Sequence, residues 1–202
     1  MLEIIEKSLS NSFNYAEYRN HATNLILAEQ VTGNEQSEDL LHYAQLNEVR
    51  MNRLEKTIQI TEEVKNVIAN IKKEQIWLVI TESWCGDAAQ ILPIIYKMSQ
   101  LSESVYMRIV LRDDNEDLMN KFLTNGGKAI PKLVFVEKES MEVLGDFGPR
   151  PTAATKLVSD YKAEFGIIDA TIKSNLQKWY LQDKGISTQN EIAAFLKSRI
   201  KF

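Results

Sequence analysis

The chain has 202 residues, is 44% hydrophobic and 26% charged, and carries a formal net charge of −4. That is the composition of an ordinary globular chain able to bury a core in one or two units. The acidic balance argues against a general nucleic-acid surface, and no stretch is apolar enough to span a membrane. The opening Met1-Leu2-Glu3-Ile4-Ile5-Glu6-Lys7 lacks the basic start and apolar centre of a signal peptide.

The first 70 or so residues read as helical. Apolar positions between Phe13 and Val31 lead to a break at Gly33-Asn34, and a longer pattern runs through Leu40, Leu41, Ala44, Val49 and Leu54. Thr61-Glu62-Glu63 starts a further helix with acids in its first turn, continued by Val64, Val67, Ile68 and Ile71. Linkers are short and there is no internal repeat. Residues 1–74 are therefore expected to pack as an extension on a core at 75–166, not to form a separate domain.

Ile76-Trp77-Leu78-Val79-Ile80 is a continuous apolar run of strand length, the pattern of a strand buried on both faces. Ala88, Ile91, Leu92, Ile95 and Met98 then follow helical spacing. Pro93 falls inside that pattern and is expected to kink the helix. Between strand and helix lies Trp84-Cys85-Gly86-Asp87-Ala88, which holds the only cysteine of the chain. The free N–H groups and positive end of a helix stabilise a thiolate, so Cys85 is expected to titrate below the ~8.5 of a free cysteine. The competing reading is a buried, inert cysteine, because free Cys is among the most buried residue types. Asp87 is either a first-turn acid or a charge that opposes the thiolate, an effect to which Glu82 can add.

Val105–Leu111 is a strand candidate interrupted by charge. Asp113-Asp114-Asn115-Glu116-Asp117 opens a short helix with Leu118, Phe122 and Leu123. It lacks the glycine and final glutamate of a calcium loop, and reads as first-turn acids. Asn125-Gly126-Gly127 is a turn. Pro131 follows Ile130 just before the apolar run Leu133-Val134-Phe135-Val136, a position at which a strand tolerates proline. That run, the turn at 137–140 and Met141–Leu144 form a hairpin. Two strands are fully apolar and two are interrupted, which predicts a four-stranded sheet with the Ile76 and Leu133 strands central.

Gly145 and Gly148-Pro149-Arg150-Pro151 lead into a helix from about Thr152 to Phe165. Arg150 between two prolines is placed at a loop edge. Residues 167–202 form a C-terminal extension of two amphipathic helices. One carries Ile172, Leu176, Trp179 and Tyr180, the other Ile192, Phe195 and Leu196. Gly185 separates them, with Ser187 or Thr188 as the cap. Trp179 and Tyr180 are assigned to core packing over the alternative of lining a ligand groove. His21 and His42 lie far in sequence from Cys85, and a Cys–His pair would need their helices to pack beside it. One cysteine and two scattered histidines give no zinc-ligand spacing. No cofactor is expected.

Trp84-Cys85-Gly86, a proline eight positions on (Pro93) and Ile130-Pro131 before a later strand together resemble the thioredoxin superfamily. The run Trp84-Cys85-Gly86-Asp87-Ala88-Ala89-Gln90 more narrowly resembles bacterial thioredoxin-like proteins with flanking helices, over about residues 55–200. The resemblance implies an α/β fold, a thioredoxin-like four-stranded mixed sheet flanked by helices. It also implies a cis Ile130-Pro131 bond beside the Cys85 sulfur, and a backbone at residue 130 able to pair with an extended peptide. Ala88 stands where the resolving cysteine would be, and Val79 where thioredoxins bury an aspartate. Without a second thiol that aspartate has no proton to manage. A serine in place of Ala88 and a second glycine beside Gly145 would be needed to match single-cysteine glutaredoxins.

The expectation is a cytoplasmic monothiol oxidoreductase, since a lone cysteine fits a reducing compartment. Cys85 attacks a protein or small-molecule disulfide, and an external thiol resolves the mixed disulfide. Trp84, Gly86, Asp87, Ile130 and Pro131 frame the substrate. The alternative is a non-catalytic thioredoxin-fold binding module in which Cys85 is incidental. Neither nucleic acid nor membrane is an expected partner.

Overall fold

Seven consecutive buried residues make β1 (Gln75–Thr81), and this strand organises the molecule. The computed structural model describes residues 1–199. β1 runs parallel to β2 (Val105–Leu111) and antiparallel to β3 (Lys132–Glu137), and β4 (Val143–Phe147) closes the order β2-β1-β3-β4. The two continuous apolar runs are thus the two central strands, paired along both edges and buried along their whole length. The parallel β1–β2 pair needs a crossover, which α5 (Gly86–Ser99) provides. The expected α/β thioredoxin-like sheet, with extra helices at both ends, is the observed architecture.

Cross-strand neighbours fix the register. Trp77 lies opposite Phe135, ring edge to ring face at 5.5 Å between centroids. Phe135 stacks in turn on Phe195 at 4.4 Å. Gly145 on β4 makes that stack possible, since a Cβ there would sit 2.5 Å from the Phe195 ring. The second hairpin strand begins two residues later than the alternation predicts. Met141 has a positive φ and belongs to the turn, and a register shift at Phe135/Val136 follows.

Four helices precede the sheet: α1 (Leu2–Ser10), α2 (Tyr15–Leu27), α3 (Glu38–Thr57) and α4 (Glu62–Ala69). Their starts follow side-chain chemistry. Asn14 and Glu17 form a reciprocal capping box, and Ser37 and Thr61 accept from backbone N–H groups of the first turn. α3 packs along α5, α4 lies against α5 and the last helix, Ile186–Arg199, and Phe13 pairs with Ile109 on the outer edge of β2. The acidic run ends in α6 (Glu116–Met119), with Glu116 and Asp117 in its first turn.

After the sheet come α7 (Thr152–Phe165), α8 (Ala170–Asp183) and α9 (Ile186–Arg199). Neither Ser187 nor Thr188 caps α9. Both lie inside the helix, and the Asp183 carboxylate reaches forward to accept from the Ser187 N–H and hydroxyl. Among the described residues, no helix is long and apolar enough to cross a membrane.

Candidate functional site

β1 ends at Thr81, and the next four residues turn the chain into α5. Cys85 is the N-cap of that helix, and its sulfur accepts the Ala88 N–H at 3.4 Å. The Ile130-Pro131 bond is cis, and the Ile130 carbonyl oxygen lies 3.3 Å from the Cys85 sulfur. The juxtaposition implied by the Trp-Cys-Gly and Ile-Pro pairs is therefore present. A second cis bond joins Gly148 and Pro149. Gly148 is required there, because any Cβ would strike the Pro131 carbonyl oxygen at 2.3 Å.

The chemistry expected of Cys85 is not supported. Its side chain is buried, with 7% of the residue exposed, and its thiol donates to the Ile130 carbonyl. Burial, followed by the negative charge of Asp87, pushes the thiol up to about 12. Helix N–H groups of Ala88 and Asp87 and the Arg150 guanidinium pull the other way and lose. Exchange chemistry needs an accessible thiolate. The monothiol oxidoreductase reading, with its redox role for Cys85, is corrected accordingly. The helix N-terminus does favour the thiolate, but the desolvation that the surrounding chain imposes is larger.

Asp87 has a structural task that sequence could not show. It is buried, forms a 2.7 Å ion pair with Arg150, and accepts the Tyr180 hydroxyl at 2.8 Å. Burial pushes its carboxyl up, and Arg150 and Tyr180 counter that. The Asp87 carboxylate thus ties the α5 start to the Pro149–Pro151 loop and to α8. Gln90, one turn on, donates to Gln177 of α8 at 2.7 Å. Glu82 is fully buried. One carboxylate oxygen accepts the Asp113 N–H at 3.0 Å, and the other finds no partner among the described residues. Glu82 is not among the groups that raise Cys85, whereas Asp87 is.

The N-terminal helices reach the same turn. Ser83 N–H donates to Thr32 Oγ1 at 2.7 Å, Trp84 Nε1 donates to the Thr32 carbonyl at 3.1 Å, and Asn47 Nδ2 donates to the Ser83 carbonyl at 2.9 Å. Thr32, Asn47, Arg50 and Gln177 carry no motif in the sequence, and Tyr180, assigned there to core packing, is buried and also holds Asp87. Asn47 did leave a signal. It continues the buried stripe Ala44, Met51 and Leu54 of α3, and a polar residue on an apolar stripe is the informative kind of exception.

A cavity of about 770 Å³ opens over this turn. Trp84, Cys85, Gly86, Asp87 and Ile130 line it, so five of the six expected site residues share one wall. Pro131 is buried and lies outside the lining, to which Pro149 contributes. Arg112 lies over the Trp84 ring at 4.9 Å. Opposite stand Tyr43 and Arg50 of α3 and Ile172, Leu176 and Gln177 of α8. His21 stacks on Phe13 and His42 lies beside Tyr43, and neither reaches the cavity. Among the described residues, no group of three or more His, Cys, Asp or Glu side chains is placed to hold a metal ion.

Comparison with known proteins bears on the fold. No curated protein matches the chain. Two solved structures share its fold at 15% identity. One is an HIV epitope scaffold, with a TM-score of 0.63 over 96% of this chain and 98% of that one. The other is a protein of unknown function from Pseudomonas aeruginosa, with a TM-score of 0.61 over 95% of this chain and 96% of that one. The thioredoxin family model matches residues 33–162. That match begins upstream of the expected residue 55, at the loop that holds Ser83 and Trp84. It covers more than half of the chain, which therefore belongs to the thioredoxin family.

Proposed function

We propose that this chain is a non-catalytic thioredoxin-fold binding module, with the cavity over Trp84–Asp87 as its ligand cleft. One observation carries this reading. The thiol is withdrawn into a hydrogen bond with Ile130, while an open cavity of about 770 Å³ remains beside it. That volume is of the order found for small-molecule sites. Trp84, Gly86 and Ile130 contact the ligand, Asp87 holds Arg150 in the wall, Cys85 lies in the floor, and Pro131 sets the backbone that presents Ile130. No step of the proposed function passes through sulfur.

Two narrower readings accompany it. The Trp84-Cys85-Gly86-Asp87-Ala88-Ala89-Gln90 run supports grouping the chain with bacterial thioredoxin-like proteins that carry this motif. The structural roles of Asp87 and Gln90 support this, because both fasten α8 over the cleft. Residues 1–74 and 167–202 are extensions that complete the cleft around a core at 75–166, and the single cysteine suits a reducing cytoplasm.

The test is a small-molecule fragment screen followed by backbone amide shifts. Shifts clustered on Trp84, Gly86 and Ile130 and unchanged in Cys85→Ser support the module. Shifts that vanish in Cys85→Ser, or no cluster at the cleft, count against it.

A further inference from the structure

Most of the positive charge on the cleft wall is already matched. Arg150 pairs with Asp87, Arg112 with Asp113 and Lys128 with Glu116, and the exposed Lys173 lies over the Tyr43 ring. Arg50 is different. It is half-buried, and among the described residues no carboxylate lies within ion-pair distance of it. Its Nη1 donates to Asn47 Oδ1 at 2.8 Å, and Asn47 is itself anchored on the Ser83 carbonyl. The guanidinium is therefore held in place over the cleft.

Gln177 brings a second free donor to the same spot. Its Oε1 accepts from Gln90, so its Nε2 is turned outward. A Cβ built on Gly86 would lie 3.6 Å from Gln177 Nε2 and 3.7 Å from Arg50 Nη1. Two donors from two different helices thus converge above a residue that has no side chain. Beside them the wall is apolar, with Val158, Ile168, Ile172 and Leu176. A partly desolvated cation without a counter-charge is unfavourable, and a bound anion relieves it. Burial and the neighbouring Arg53 already press the Arg50 pKa downward.

We propose that the cleft takes an amphipathic monocarboxylate. Its carboxylate sits between Arg50 and Gln177 over Gly86, and its apolar body lies against Ile168, Ile172 and Leu176. A planar guanidinium fork beside an amide N–H matches the two oxygens of a carboxylate. The inference rests on the cleft being a ligand site.

The experiment compares sodium decanoate with 1-decanol, which has the same chain length and no charge, by amide shifts of the full chain. Decanoate is expected to shift the Gly86 backbone amide and the Gln177 side-chain amide. It should bind at least about tenfold more tightly than decanol. Arg50→Met should remove that advantage. Gln177→Glu keeps an acceptor for Gln90 and supplies its own anion to Arg50, so it should also remove the advantage in a folded protein. Equal binding of acid and alcohol in the cleft overturns the carboxylate assignment and leaves the cleft reading standing. So does a cleft that responds to an acidic peptide or to neutral fragments but not to decanoate. A cleft that binds nothing overturns both.

Discussion

The Cys85 thiol donates to the Ile130 carbonyl oxygen across 3.3 Å, so the two residues that would handle a substrate in a thiol exchange handle each other. The sulfur is protonated, buried and satisfied. This contact turns a reactive-looking motif into a packing element.

The first consequence concerns alkylation. Native Cys85 should resist iodoacetamide at pH 8 and react at the ordinary thiol rate once denatured, as read by mass spectrometry. Asp87→Asn removes the second of the two causes that raise the thiol, so it should lower the pKa. Burial, the first cause, remains, and the native sulfur should stay slow. Rapid native labelling of the wild type at pH 8 would refute the assignment.

Stability should fall at alkaline pH for the same reason. The folded thiol is raised from 9.0 to about 12, so its contribution is complete below pH 9 and is lost as pH rises towards 12. In that window the unfolded chain sheds a proton that the folded chain keeps. Wild type should therefore lose up to about 1.4 kcal/mol per pH unit relative to Cys85→Ser. Urea unfolding of both proteins at pH 8 and pH 10 measures this, and a constant difference would contradict it.

Arg150 and Asp87 form a pair with little solvent around the carboxylate. Arg150→Met leaves Asp87 buried beside only the Tyr180 hydroxyl and should cost about 3–5 kcal/mol. Adding Asp87→Asn should restore part of that, because the uncompensated charge is gone. Additive losses in the double-mutant cycle would show that the pair does not couple.

Glu82 should be a destabilising charge. Burial raises its carboxyl, and one oxygen has no partner among the described residues. A raised carboxyl stabilises fully below its ordinary 4.5, and that contribution is lost as pH rises through the folded value. Glu82→Gln keeps the acceptor for the Asp113 N–H and should raise Tm at pH 7 by about 2–4 °C, the shift that ~1 kcal/mol gives at this chain length. Its advantage should shrink at pH 4. A lower Tm at pH 7 would indicate that the carboxylate has a role that glutamine cannot fill.

The sheet was legible in the sequence because its evidence is local. Two uninterrupted apolar runs at 76–80 and 133–136 can only be central strands, and the spacing from Ala88 to Met98 can only be a helix packed on them. The Trp-Cys-Gly and Ile-Pro pairs named the family for the same reason, since each is a fixed backbone requirement at a strand end. The state of Cys85 was not local. The helix N-terminus that favours a thiolate is written in residues 85–88. The burial that overrides it is not written there: Ile130, whose carbonyl meets the thiol, lies 45 positions away in the chain. Desolvation depends on everything that surrounds an atom, so only the tertiary structure could decide whether this cysteine reacts. The cleft belongs to the same class. Arg50 and Gln177 are 127 positions apart in sequence, and only folding brings their donors over Gly86.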